Sequence, residues 1–80
     1  MYYLYASKPG VDQKLVATFD TEPQLLAYAG WATLQTHPDG TRKFEQGSAL
    51  AGYQSWSKSS QPLSDEDPTT VVHNPSPSML

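Results

Sequence analysis

The sequence predicts an α+β fold: a small antiparallel sheet of three to four strands with one helix packed on one face, in the order β-β-α-β-β, followed by an irregular C-terminal tail. Three observations predict it. Two short N-terminal runs have strand composition, a capping signature opens an uncharged helical segment, and all nine aromatic residues and all five glycines precede Ser57. We therefore expect residues 1–57 to form the domain and residues 58–80 a Ser-, Pro- and acid-rich tail.

The first two strands are predicted from composition and alternation. Tyr2–Ala6 is an aromatic-rich run with strong strand preference. In Lys14–Phe19, residues such as Leu15 and Ala17 share one face because side chains alternate along a strand. The loop Pro9–Gln13, which opens with turn-forming Pro and Gly, is expected to join the two runs as an antiparallel pair.

The helix has the clearest local signal in the chain. Thr21 followed three residues later by Gln24 fits a capping box, and Pro23 falls in the first turn, where its missing N–H costs little. The helix is predicted to run through Leu34 and to stop before the turn sequence His37–Gly40.

The region after the helix has weaker signals. Thr41–Gln46 is predicted to form a third strand. Residues 48–57 are compatible with a helix capped by Ser48, because apolar residues recur every three positions, or with a strand, because Gly and Ser weaken a helix. The composition favours a turn at Gly47 and a fourth strand near Ala51–Lys58.

Charge and hydropathy exclude several classes of protein. The 80-residue chain has a formal charge of −3 and a pI of about 5.0, so nucleic acid is an unlikely partner. It has no cysteine for a disulfide or a thiolate metal site. No stretch approaches the roughly 20 apolar residues of a membrane span, and the N-terminus does not resemble a signal peptide. The absence of a recognisable signal peptide and of a membrane-spanning stretch favours a cytoplasmic location.

An uncharged helix surface is the main candidate for function. The segment from Gln24 to Thr36 contains no charged residue. Leu26, Trp31 and Leu34 lie outside the stripe expected to pack on the sheet, which consists of Leu25, Tyr28, Ala29 and Ala32. We expect these three residues to bind a protein partner or a second copy, unless the tail covers them. Trp31→Ser or Leu34→Asp should then weaken association.

An aromatic sheet face offers a different hypothesis. Tyr3 and Tyr5 share one side of the first strand, and Arg42 and Lys43 lie in the third. Such a combination is typical of weak single-stranded nucleic-acid binders, in which bases stack on rings. Ordinary cross-strand packing of half-buried tyrosines is the favoured explanation, because the chain is acidic.

Nothing in the sequence indicates catalysis, a cofactor or a metal. There is no Gly-x-Ser-x-Gly elbow and no phosphate-binding loop, so an enzymatic activity has no residues to support it. His37 and His73 are expected to be solvated residues of a turn and of the tail. The acidic run Asp65–Asp67 lacks the alternating ligands and central Gly of a calcium loop.

The tail has a composition that is too polar to form a core of its own, yet it contains apolar anchors. Leu63 precedes the acidic run, and Val71–Val72 is a short extended patch. The tail is expected to be flexible or to dock in extended form, and Thr69–Val72 could add a strand to a sheet edge. The ending Ser78–Leu80 resembles the carboxylate motifs captured by PDZ-type domains.

Overall fold

One helix and a four-stranded sheet form the body of the protein, which confirms the predicted α+β class. The computed structural model describes residues 1–33, 35–36, 42–44, 47–63, 67 and 70–75. The elements, in chain order, are β1 (Tyr2–Lys8), β2 (Val11–Phe19), α1 (Glu22–Ala32), β3 (Gln35–Thr36), β4 (Arg42–Lys43), β5 (Ser55–Ser59) and β6 (Val72–His73).

The sheet is mixed, whereas the sequence predicts an antiparallel one. Its strand order is β5-β1-β2-β6. Strand β1 pairs antiparallel with both neighbours, but β6 pairs parallel with β2. The helix and three strands separate β2 from β6 in the chain, and so long a connection permits the parallel direction that a short hairpin forbids.

The hairpin of β1 and β2 is longer than predicted. Both strands continue to a turn at Pro9 and Gly10, so that Lys8 pairs with Val11. Gly10 has a φ of 81°, which a residue with a side chain rarely adopts. The hairpin therefore closes with a tight turn in place of the expected five-residue loop.

A bulge in this hairpin changes which residues face the helix. Leu4 pairs with Ala17, while the next residue, Tyr5, pairs with Leu15, so Val16 is an additional residue in β2. Directly paired side chains lie on the same side of a sheet. Leu15 therefore shares the face of Tyr5, on the opposite side of the sheet from Ala17, and the simple alternation predicted for β2 is wrong at this position.

Helix α1 begins with the predicted capping box. The Gln24 backbone N–H donates to the Thr21 side-chain oxygen at 3.4 Å, and the Thr21 backbone N–H donates to Gln24 Oε1 at 3.1 Å. The helix ends at Ala32, two residues before the predicted Leu34. The Thr33 N–H still donates to a helical carbonyl, but its backbone has left the helical conformation.

The core lies between α1 and the face of the sheet that carries Leu4 and Ala17. The Tyr28 ring stands at its centre, with its centroid 5.6 Å from that of Phe19, and its hydroxyl accepts a hydrogen bond from the Ala49 backbone N–H at 2.9 Å. This bond attaches the turn after β4 to the helix. The buried cluster consists of Leu4, Ala6, Ala17, Phe19, Leu25, Tyr28, Ala29, Ala32, Phe44 and Leu50.

The region after the helix differs from its prediction in detail. Of the predicted third strand, Arg42–Lys43 forms β4, and it pairs with β3 in a separate two-stranded ladder. Residues 41, 45 and 46 lie outside the described residues. The fourth strand exists but begins later, at Ser55, because residues 49–52 form turns and Gly52 has a φ of 86°.

Candidate interaction surfaces

One side of helix α1 faces away from the sheet and carries no charge. We call it the α1 outer face and define it as Pro23, Leu26, Ala27 and Gly30, all of which are exposed. Leu26 is 43% exposed, although leucine is usually buried. A Cβ added to Gly30 would have no neighbour within 4 Å, so the space above the helix is open there.

The other two residues of the predicted partner surface have different positions. Trp31 is half-buried and packs against the core, with its ring centroid 5.5 Å from that of Tyr28. It therefore forms the border between the core and the α1 outer face. Leu34 lies outside the described residues. Of the two predicted residues that the structure describes, Leu26 is the exposed one.

On the opposite face of the sheet, Tyr5 is buried and contacts the chain after β5. Tyr5 is 1% exposed, and its hydroxyl accepts a hydrogen bond from the Leu63 backbone N–H at 2.7 Å. A ring so enclosed cannot stack on a base. Arg42 and Lys43 lie in the separate β3–β4 ladder, outside the sheet that contains Tyr5. The aromatic platform considered for nucleic acid therefore lacks one of its two rings.

Four polar side chains meet where β2 passes into α1. We call Thr18, Asp20, His73 and Asn74 the junction cluster. The Asn74 side-chain nitrogen donates to Asp20 Oδ2 at 2.7 Å, and its side-chain oxygen accepts from the Asp20 backbone N–H at 2.9 Å. The Asn74 backbone N–H donates to the Thr18 carbonyl at 2.8 Å. Asn74, the residue after β6, is thus bonded to Thr18 and Asp20, the two sequence neighbours of Phe19.

His73 bridges the remaining two members of the cluster, so it is not simply a solvated tail residue. Its Nε2 lies 3.0 Å from Asp20 Oδ1, and its Nδ1 lies 2.8 Å from Thr18 Oγ1. An ionised carboxylate only accepts hydrogen bonds, so a neutral imidazole must carry its proton on Nε2. Nδ1 is then the acceptor for the Thr18 hydroxyl, and both ring nitrogens are bonded.

The cluster favours the ionised form of Asp20. The hydrogen bond from Asn74 is the largest cause that lowers the pKa of this carboxyl, and the charge and hydrogen bond of His73 lower it further. Desolvation of the carboxylate, which is the second-largest cause, acts in the opposite direction, and the N-terminal amine adds a minor attraction. The net effect is a pKa below the ordinary value of an aspartate.

The cluster brings together a hydroxyl, an imidazole and a carboxylate, which raises the question of nucleophilic catalysis. A nucleophile has to reach its substrate, and Thr18 is 1% exposed between β1 and β6. The geometry therefore suits the attachment of β6 better than the activation of Thr18. Among the described residues, no group of three or more metal-ligating side chains is close enough to hold an ion.

An ion pair borders a shallow depression at the start of α1. Lys58 of β5 contacts the Glu22 carboxylate, and both side chains are partly exposed. The depression has a volume of about 330 Å³ and is lined by Tyr2, Glu22, Lys58, Ser59 and Ser60. Exposed ion pairs add little to stability. Serine and ion-pair groups leave the depression without the apolar lining typical of small-molecule sites.

The sequence did not reveal the contact of Asp20 with Asn74. An aspartate just before a helix is explained by its favourable interaction with the helix dipole, without any distant partner. The available signal was Val71 and Val72, a short extended patch followed directly by His73 and Asn74. That patch indicated an edge strand, but no local pattern identified which strand it would pair with.

Comparison with known proteins gives no relationship from which a function could be transferred. No protein-family model matches the chain, and neither a curated protein nor a solved structure is significantly similar to it. Within the described part of the chain, no helix is long and apolar enough to cross a membrane. The fold and its surfaces therefore define the class as a small α+β domain with a mixed sheet.

Proposed function

We propose that the protein is a small non-catalytic interaction module that associates with a second copy of itself through the α1 outer face. The observation that carries this proposal is the exposure of Leu26, at 43%, on a helix side without charge. Exposed apolar residues grouped on one side of an element are typical of contact surfaces. The described tail contacts lie on the sheet and at Glu22, so they leave this face open.

A second copy suits this face for reasons of charge and shape. Two identical faces meet across a two-fold axis, so each residue near the axis meets itself or its symmetry mate. A charged face would place like charges together, whereas the four residues of this face are uncharged, and the neighbouring Glu22 is paired with Lys58. Ala27 and Gly30 are small and lie one helical turn apart, which permits the two helix backbones to approach closely.

The size of the face predicts weak association. Helix α1 has 11 residues and is therefore about 16 Å long. Stable interfaces bury roughly 800 Å² on each partner, which is more than the side of so short a helix provides. We therefore expect dimers that form at high concentration and dissociate on dilution.

Sedimentation equilibrium between about 10 μM and about 1 mM tests the proposal. The wild-type mass should rise towards that of a dimer, and Leu26→Ser should remain monomeric throughout. Leu63→Ser is the matched control, since Leu63 is 59% exposed on a different part of the surface. A wild-type protein that stays monomeric at the highest concentration contradicts the proposal, as does an equal loss of dimer in both variants. Trp31→Ser is a poorer choice, because Trp31 also packs on the core.

A further inference from the structure

Strand β6 is attached to the sheet by little backbone pairing. Of the tail residues that the structure describes, Val72 and His73 alone pair with β2, opposite Ala17 and Thr18. The Asn74 N–H then donates to the Thr18 carbonyl at 2.8 Å, and a φ of 52° at Asn74 turns the chain away from the sheet. A two-residue parallel strand at a sheet edge has few main-chain bonds to hold it, so the remaining specificity must come from side chains.

The side-chain contacts are made by two consecutive residues of the segment, His73 and Asn74. His73 contacts Thr18 with one ring nitrogen and Asp20 with the other. Asn74 exchanges two hydrogen bonds with Asp20, one to its carboxylate and one from its backbone N–H. Both tail side chains thus bond to the same short stretch of the domain, and a different residue at either position would leave donors or acceptors unmatched.

The apolar part of the segment contributes little to its attachment. Val72 is 57% exposed, His73 is exposed, and Val71 is half-buried. Burial of apolar surface is what makes docking of a segment persistent, and segments with few buried apolar contacts open at low free-energy cost. The polar contacts give this attachment selectivity, while the exposed valine leaves it reversible.

We propose that the outer edge of β2, with Thr18 and Asp20, is a binding site for extended peptides that contain a His-Asn pair, and that Thr70–Pro75 is the internal ligand that closes it. Addition of a strand to a sheet edge is a common mode of peptide recognition, in which the backbone supplies affinity and side chains supply specificity. A His-Asn segment of another protein would make the same bonds. It would have to displace the internal segment first, so the site is autoinhibited.

The test uses the ¹⁵N-labelled full chain with His73→Ala and Asn74→Ala, which removes the side-chain contacts of the internal ligand. The probe is a capped peptide of sequence Thr-Val-Val-His-Asn-Pro. Titration should shift the amides of Thr18 and Asp20 saturably. The wild-type chain should bind the probe at least about tenfold more weakly, because only the fraction of molecules with an open edge is competent. A peptide with the His and Asn exchanged is the matched control.

Three results would overturn the proposal: no saturable shift at about 1 mM probe, equal binding of the exchanged peptide, and equal affinity of wild type and variant. Dispersed amide spectra confirm that the variant is folded. If the double variant does not fold, Asn74→Ala alone is titrated in the same way and judged by the same three results. Neither substitution lies on α1, so a failure here leaves the proposed self-association unaffected, and the reverse also holds.

Discussion

Asn74 holds Asp20 from two directions: its side-chain nitrogen donates to the carboxylate at 2.7 Å, and its side-chain oxygen accepts from the Asp20 backbone N–H at 2.9 Å. The two residues are 54 positions apart in sequence. Asp20 lies between the last residue of β2 and the N-cap Thr21. The contact therefore fixes the segment around Asn74 to the point at which the sheet passes into the helix.

The first prediction concerns this contact. In Asn74→Ala the segment Thr70–Pro75 should be attached more weakly, because both side-chain bonds of Asn74 to Asp20 disappear while those of His73 remain. Hydrogen exchange of the backbone amide at position 74 should become faster, and exchange in β1 should remain unchanged. Ser60→Ala is the control, as an exposed substitution in the same part of the chain. Unchanged exchange at position 74 would show that the backbone pairing and the His73 contacts hold the segment without Asn74.

The second prediction concerns acid. Since the folded state lowers the pKa of Asp20, its contribution is fully present above the ordinary aspartate pKa of about 3.9 and is lost as pH falls through the lower folded value. The Asn74 side-chain amide signals should therefore change on acidification below about pH 4. In Asp20→Asn this change should be absent. A transition of equal size in that variant would assign the effect to another carboxyl.

The third prediction tests the orientation of α1. Leu25 is 0% exposed and Leu26 is 43% exposed, although they are neighbours in sequence. Leu25→Ala should reduce the free energy of unfolding by about 2–5 kcal/mol, because it leaves a cavity in the core. Leu26→Ala should change it by less than about 0.5 kcal/mol. Urea unfolding at protein concentrations below about 10 μM, where self-association is weak, measures both free energies. Similar losses of stability in the two variants would mean that the two side chains have similar surroundings, which contradicts the prediction.

The fourth prediction tests the capping box. Thr21→Ala should lower the free energy of unfolding by about 1 kcal/mol, because the Gln24 N–H loses its acceptor. Thr21→Ser keeps the hydroxyl and should retain most of the stability. If both variants lose the same amount, the methyl group of Thr21 matters and the hydroxyl does not. Chemical denaturation followed by tryptophan fluorescence gives the comparison.

The fifth prediction separates two tyrosine hydroxyls. Tyr28→Phe should cost about 1–3 kcal/mol of global stability, because the part-buried Ala49 N–H loses its partner. Tyr5→Phe removes the acceptor for the Leu63 N–H, so its main effect should be faster hydrogen exchange at Leu63. Thermal unfolding and hydrogen exchange measured on both variants provide the test. A reversed order of effects would mean that the chain near Leu63 stabilises the domain more than the turn at Ala49 does.

Features set by neighbouring residues could be predicted from the sequence. The capping box of Thr21 and Gln24 depends on a spacing of three, and the turn at Gly10 depends on the conformational freedom of one residue. The burial of Leu25, Tyr28, Ala29 and Ala32 follows from helical periodicity. In each of these cases the physical cause lies within a few residues of its effect.

Features set by distant residues could not be predicted. Nothing near His73 indicates Thr18 as its partner, because their contact depends on which edge of the sheet is free when the chain returns. The side of Leu15 depends on a bulge, and a bulge appears only when two strands are aligned. The exposed Leu26 could be predicted from its helix position, whereas the half-buried state of Trp31 required the position of Tyr28.

The bulge has a consequence for how β2 can be read. Because Val16 is an additional residue, the hairpin is one residue longer than its pairing requires at that point. The alternation of side chains between the two faces shifts by one residue there. Odd-numbered residues after Val16 face the helix, whereas Leu15, before it, lies on the opposite face of the sheet. The buried side chains of β2 therefore lie on both faces of the sheet, with Ala17 and Phe19 towards the helix and Leu15 and Thr18 on the opposite side.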